Sequence, residues 1–250
     1  MRLEDAIRDF LSFLRRPRFN HQWKEELDWI TITKLFLLVF VVEMLALSAM
    51  SALIGLDEIP HAMESLMKDQ SIITIASLAI IVAPVLEELI FRLHLKYKWL
   101  LILFLIILFV VCIGFAIWLV IPEFFSKISQ NFSILIHNPF LTAISLVAVL
   151  VTVAIVFMIS EAVPIAGITA MYPFIFYLTA LVFALVHIGN FDISNVRWYM
   201  TPFLVLPQFI LALYLGYVRM RKNIGGSIYI HALNNSIPFS LYFLVDFGVH

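Results

Sequence analysis

The sequence predicts an all-α fold: a polytopic transmembrane helical bundle of about seven spans, or eight if one run is broken, with an N-terminal interfacial amphipathic helix. Three observations predict it. Of the 250 residues, 63% are hydrophobic and 13% charged, and the mean hydropathy is +1.02; soluble domains run near ~45–50% apolar and ~25% charged. The apolar residues come in runs of about 20, the length that crosses hydrocarbon at ~1.5 Å per residue. The connections between runs are short, the longest being 55–70, 122–138 and 188–198.

Residues 1–30 read as a cytoplasmic or interfacial segment, and 31–250 as a single transmembrane domain. Leu3, Ile7, Phe10, Leu11 and Leu14 recur at helical spacing, with Arg2, Arg8, Arg15, Arg16 and Arg18 available to headgroups. Glu4, Asp5 and Asp9 interrupt this stretch, so it does not read as a secretory signal peptide. The expected spans are 32–54, 71–95, 98–121, 139–160, 167–188, 199–218 and 226–247.

Positive charge sets the orientation. Close to the spans, one side holds Arg15, Arg16, Arg18, Lys24, Arg92, Lys96, Lys98, Arg219, Arg221 and Lys222, and the other holds Lys68, Lys127 and Arg197. Ten against three places the N-terminus in the cytoplasm and, with seven spans, the C-terminus outside. The expected location is integral membrane, the plasma (inner) membrane if the source is bacterial. The net charge of −1 supplies no basic field for nucleic acid. Cys112 is the only cysteine, so neither an internal disulfide nor a thiolate metal site is expected.

Five polar features remain where lipid would reject them. They are Glu87-Glu88-Leu89-Ile90-Phe91-Arg92, His187 closing Phe183-Ala-Leu-Val-His187, His231-Ala-Leu-Asn-Asn235, Glu43 and Glu161. At ~100° per residue, Glu88 and Arg92 share a face and can pair, while Glu87 points about 100° away. His231 and Asn235 share a face, and so do Phe183 and His187. Lys96 and Lys222 mark the inner boundary. From it Glu87 and His231 lie roughly 13 Å deep and Asn235 about 20 Å. His187 lies about 21 Å deep if Pro173 starts the ordered helix. Each feature alone also reads as an anchor or a packing residue. Glu43 reads as structural and Glu161 as interfacial.

Together, Glu-Glu-x-x-x-Arg, Phe-x-x-x-His and His-x-x-x-Asn, in that order on hydrophobic segments, resemble the CPBP family. That family comprises the type II CAAX prenyl endopeptidases and their bacterial relatives, the abortive-infection and bacteriocin-immunity proteins. The resemblance covers roughly residues 71–247. Two features depart from the family pattern. Ninety-four residues, with two extra candidate spans, separate Arg92 from His187, and Leu93 stands where many relatives have glycine.

The resemblance implies an intramembrane endopeptidase acting on a peptide or membrane-protein substrate within the lipid bilayer. Amide hydrolysis needs a base for water and stabilisation of an oxyanion. Glu87, with His187, is expected to activate the water; Glu88, paired with Arg92, to hold the helix; and His231 and Asn235 to face the oxyanion. No cofactor is expected. The alternative is zinc held by Glu87, His187 and His231, a His₂Glu set with an open position, although no His-Glu-x-x-His motif favours it. A non-enzymatic protein, transporter-like or an immunity or scaffold protein, could use the same polar cavity for binding. No inverted repeat favours a transporter.

Overall fold

The computed structural model of the chain describes residues 1–19, 27–54, 71–120, 156, 160, 163–193, 196 and 199–248. Among these residues the regular elements are helices, and no strand is present. In order they are α1 (Leu3–Arg15), α2 (Trp29–Ile54), α3 (Ile72–Ser77), a π-helical segment (Leu78–Val82), α4 (Ala83–Phe91) and a 3₁₀ turn (Leu93–Lys96). Then come α5 (Lys98–Val120), α6 (Ile165–Val186), a second 3₁₀ turn (His187–Asn190), α7 (Thr201–Leu204), α8 (Leu206–Arg221) and α9 (Ile224–Gly248).

The chain divides into two compact units, Met1–Lys96 with Thr169–His250, and Tyr97–Ile168. The N-terminal segment belongs to the first unit, and residues 31–250 contribute to both. In the second unit, α5 is apolar along its described length, with Ile107, Phe109, Val110 and Val111 exposed. The expected span 139–160 lies outside the described residues, save Val156 and Ser160. Lys68, Lys127, Glu161 and Arg197 lie outside them as well.

Three helical stretches among the described residues are long and apolar enough to cross a membrane: Trp29–Ala52, Ile72–Phe91 and Ile165–Asn190. This is consistent with a membrane protein, and it falls short of the seven spans expected. Two of the expected spans fall outside that measure for local reasons. The expected span 199–218 is broken at Val205, between α7 and α8, each of which starts on a proline in its first turn. The expected span 226–247 becomes α9, whose apolar run is diluted by Ser227, His231, Asn234, Asn235 and Ser236. Outward-facing Leu38, Val41, Val42, Leu45, Leu86, Ile90, Phe174 and Leu181 give α2, α4 and α6 the apolar exteriors that lipid requires.

Local chemistry starts these helices. Asp28 caps α2, accepting from the Thr31 backbone N–H and hydroxyl at 2.7 Å each. Those hydrogen bonds to Thr31 lower the Asp28 carboxyl to about 2. Ser71 caps α3 by accepting from Thr74 N–H at 3.2 Å.

Helix α8 is the centre of the first unit. It is buried on every side from Tyr214 through Arg221, as a helix packed all round must be. The Tyr214 hydroxyl donates to the Ile32 carbonyl of α2 at 2.5 Å. Gly216 lets the Phe176 ring of α6 come close, since a Cβ there would lie 2.6 Å from a ring carbon.

The N-terminal segment does form an amphipathic helix, but the inner face of α1 docks on protein. Phe10 meets Tyr214 and Tyr217 with ring centroids 5.4 and 5.0 Å apart, and Phe13 meets Phe176 at 5.2 Å. Asp9 accepts from the Tyr217 hydroxyl and from Arg221 Nε, both at 2.7 Å. Arg8, Arg15, Arg16 and Arg18 stay exposed.

Two stability changes follow. Gly216→Ala forces the buried Phe176 ring aside and should lower stability by about 1–3 kcal/mol. Asp9→Ala removes the acceptor shared by the Tyr217 hydroxyl and the buried Arg221 and should lower it by about 1–3 kcal/mol. Thermal unfolding in detergent measures both, and exposed Arg15→Ala should move stability by less than ~0.5 kcal/mol.

Candidate functional site

One short stretch, Glu87–Arg92, supplies one wall of the site. Continuous helical phase through α4 separates its two carboxylates, as their spacing predicts. Glu88 is fully buried, whereas Glu87 keeps 27% of its side chain exposed and lines a cavity of about 610 Å³. The opposite walls come from α6 and the 3₁₀ turn after it, α8 and α9, through Phe183, His187, Gln208, Leu211, His231, Asn234 and Asn235. The sequence-predicted groups thus converge on one place.

Glu88 is the knot of the cluster. One oxygen, Oε1, accepts from His231 Nδ1 at 2.9 Å and lies 3.4 Å from Arg92 Nη1. The other, Oε2, accepts from the Ser227 hydroxyl, which is also 3.2 Å from the Leu215 carbonyl. A buried carboxylate is tolerable only with this level of pairing. The guanidinium of Arg92 is fully buried as well, and it lies over the Phe183 ring, 3.8 Å from the centroid. Phe183 stands at the centre of the aromatic packing. It meets the Phe91 ring at 5.4 Å, His187 at 4.6 Å and His231 at 5.7 Å.

Arg219 secures the end of this wall. Its Nε donates to the Arg92 carbonyl at 3.0 Å and its Nη2 to the Leu93 carbonyl at 3.2 Å. The Arg92 carbonyl also accepts from the Leu95 N–H of the 3₁₀ turn, at 3.2 Å, so Arg219 adds a second donor there. Charge counting along the sequence places Arg219 at the membrane boundary. In the structure it is buried.

The two imidazoles are fixed in the same way. His187 Nδ1 sits 2.7 Å from the Phe183 carbonyl, an acceptor only, so Nδ1 carries the hydrogen. His231 Nδ1 donates to Glu88. In each neutral ring Nε2 then bears a lone pair, and both lone pairs meet Glu87 Oε2. The distances are 3.6 Å from His187 and 3.7 Å from His231, longer than direct hydrogen bonds. Glu87 Oε2 itself is shielded and has no hydrogen-bond donor among the described residues. Three acceptors without a donor define a point where a donor belongs.

A water molecule fits that point by supplying hydrogens, and a cation fits it by charge. Among the described residues no group of three or more His, Cys, Asp or Glu is placed to hold a metal ion. The hydrogen bonds that fix both Nδ1 atoms are nonetheless of the kind that orient histidine ligands.

Asn235 lines the cavity and is also tied to its wall. Its Nδ2 donates to the Ala79 carbonyl at 2.8 Å, inside the π-helical segment. The i→i+5 pattern loosens the carbonyls there, and Asn235 takes one of them. One N–H of its amide remains for the cavity. The expected start of the ordered helix at Pro173 fails, because α6 begins at Ile165 and carries Pro173 in its interior. Glu43 is buried on α2 and does not line the cavity.

Four cavity or support residues escape the motif reading. Ser227 was signalled by its spacing, four before His231 on one helical face. Gln208 was visible as a carboxamide in a mostly apolar run. Asn234 adjoins Asn235, and Asn190 closes the turn that begins at His187. Only geometry assigns those two to the cavity.

A family model described as Rce1-like, "Type II CAAX prenyl endopeptidase Rce1-like", matches residues 144–237. The matched stretch is less than half of the chain, and it contains Phe183, His187, His231 and Asn235. Glu87, Glu88 and Arg92 precede it. The match supports the CPBP family assignment drawn from the three motifs. No curated protein and no solved structure matches the chain.

The buried cluster makes a direct prediction. Ser227→Ala leaves Glu88 Oε2 without its donor and should lower stability by about 1–3 kcal/mol. Ser236→Ala, which removes only a bond to the Leu233 carbonyl within its own helix, should cost under ~0.5 kcal/mol. Arg92→Lys, which keeps charge but loses the planar face over Phe183, should exceed both losses. Thermal unfolding of the purified variants in detergent checks the order.

Proposed function

We propose that the chain is a multi-pass intramembrane endopeptidase, CAAX-protease-like and glutamate-dependent, with its N-terminus in the cytoplasm. The observation that carries this reading is the convergence of Glu87 Oε2, His187 Nε2 and His231 Nε2 on one donor-seeking point beside the cavity. The family match supports the reaction class.

The proposed step begins with a water held there. One hydrogen faces Glu87 Oε2 and the other His187 Nε2, which aims the oxygen lone pair at the substrate carbonyl. Glu87 takes a proton as the C–O bond forms. The negative charge moves to the carbonyl oxygen. Sharing the proton with His231 gives an imidazolium balanced by Glu88, and its Nε2–H faces the oxyanion beside the remaining Asn235 N–H. Collapse breaks the C–N bond, and the proton returns through Glu87 to the leaving amine. Arg92, Ser227 and Phe183 act by holding Glu88 and the rings in place.

This reading is metal-free. The zinc alternative would use Glu87, His187 and His231 and would supply a Lewis acid at the same point. Activity that survives rigorous metal removal supports the metal-free form. Activity lost with the metal and restored by zinc alone overturns it.

The substrate is expected to be a peptide or membrane-protein segment. Cells expressing the wild type should contain cleaved membrane-proximal peptides that are absent with Glu87→Gln. The purified variant should keep its thermal stability while losing about 10²- to 10⁴-fold in rate. A folded Glu87→Gln protein with the full cellular phenotype would instead favour the non-enzymatic reading, in which the cavity only binds.

A further inference from the structure

The cavity holds three polar side chains that the proposed chemistry leaves unused, Asn190, Gln208 and Asn234. Gln208 on α8 and Asn234 on α9 both line it. The carboxamide oxygen of each is shielded from solvent and has no hydrogen-bond donor among the described residues. The Asn234 amide nitrogen reaches only Asn235 Oδ1, at 3.5 Å, the outer limit of a hydrogen bond. A shielded acceptor without a donor carries an uncompensated desolvation cost. Two such oxygens lining one cavity ask for a ligand that brings N–H groups.

A peptide main chain does so, but only in one conformation. In a helix each N–H is already given to a carbonyl of the same helix, and in the membrane almost none is left over. An extended segment presents N–H and C=O groups alternately along its edges. A carboxamide matches that edge. Its oxygen accepts the N–H, and its own NH₂ returns a hydrogen to a neighbouring carbonyl. The cavity, at about 610 Å³, is in the range that encloses a short segment.

We infer that Gln208 and Asn234 form a main-chain subsite that takes N–H groups from an extended, unwound peptide segment and presents its scissile bond to Glu87. The inference rests on the endopeptidase reading and adds the substrate conformation that the site selects. Both carboxamides are binding and positioning groups. The subsite reads the backbone and not the side chains, so sequence tolerance at the bound positions follows from it.

The test uses the full-length protein in detergent and a synthetic membrane-proximal peptide that the wild type cleaves. The peptide is resynthesised with one backbone amide at a time replaced by an ester, which removes a single N–H. One or two ester positions near the cleavage site should raise KM about tenfold in the wild type and change kcat less than twofold. Each such ester should lose its effect in one of Gln208→Leu and Asn234→Leu, the variant that lacks its acceptor, and both variants should show a raised KM for the all-amide peptide. Gln208→Met and Asn234→Ala serve if the leucine variants unfold. A wild type that cleaves every ester peptide with unchanged KM overturns the subsite and leaves the endopeptidase reading intact. Ester effects that persist undiminished in the variants overturn the assignment to these residues. A wild type that cleaves no peptide overturns the endopeptidase reading and the inference with it.

Discussion

The structure around the cavity depends on one buried carboxylate. Glu88 has no contact with solvent, so its charge must be met from within. It is met from three directions, by Arg92 one turn on, by Ser227 and by His231. Those partners lie on α4 and α9, so satisfying the charge fixes how the two helices pack. The same contacts set the tautomer of His231 and thereby leave its second nitrogen facing Glu87. Structural need and proposed chemistry thus share a hydrogen bond. Phe183 extends the arrangement to α6 by offering one ring to the Arg92 cation and to both imidazoles.

Around that cluster the fold uses polar anchors where apolar packing alone would leave register undefined. Helix α8, buried on every side, is held to α2 by the Tyr214 hydroxyl and to α1 by Tyr217 and Arg221 at Asp9. Gly216 sets how near α6 can come. Asn235 takes a carbonyl from the π-helical segment above Glu87 and so ties the two halves of the cavity wall together. Such bonds are directional, which contacts between lipid-like side chains are not.

Much of this was legible in the sequence, for identifiable reasons. Helical phase distinguishes Glu87 from Glu88 because a one-residue step turns the side chain by ~100°, and depth estimates bring Glu87 and His231 to one level. The rest depends on contacts between segments far apart in the chain. No local pattern says that Ser227 completes Glu88, that Arg219 caps the end of α4 from another helix, or that Asp9 draws α1 onto α8. The amphipathic pattern of residues 1–15 gives the helix but not what covers its apolar face, because lipid and protein satisfy that pattern equally well. Hydropathy likewise counts apolar runs without seeing the break at Val205.

The central claim is that Glu87 activates a water that attacks a peptide bond. It is tested most directly by cleaving a peptide substrate with purified, metal-depleted protein in water enriched in heavy oxygen, followed by mass spectrometry of the fragments. The account predicts one heavy oxygen in the newly formed carboxylate and no such product from Glu87→Gln. Equal cleavage by Glu87→Gln, or cleavage that appears only after metal is restored, would contradict it.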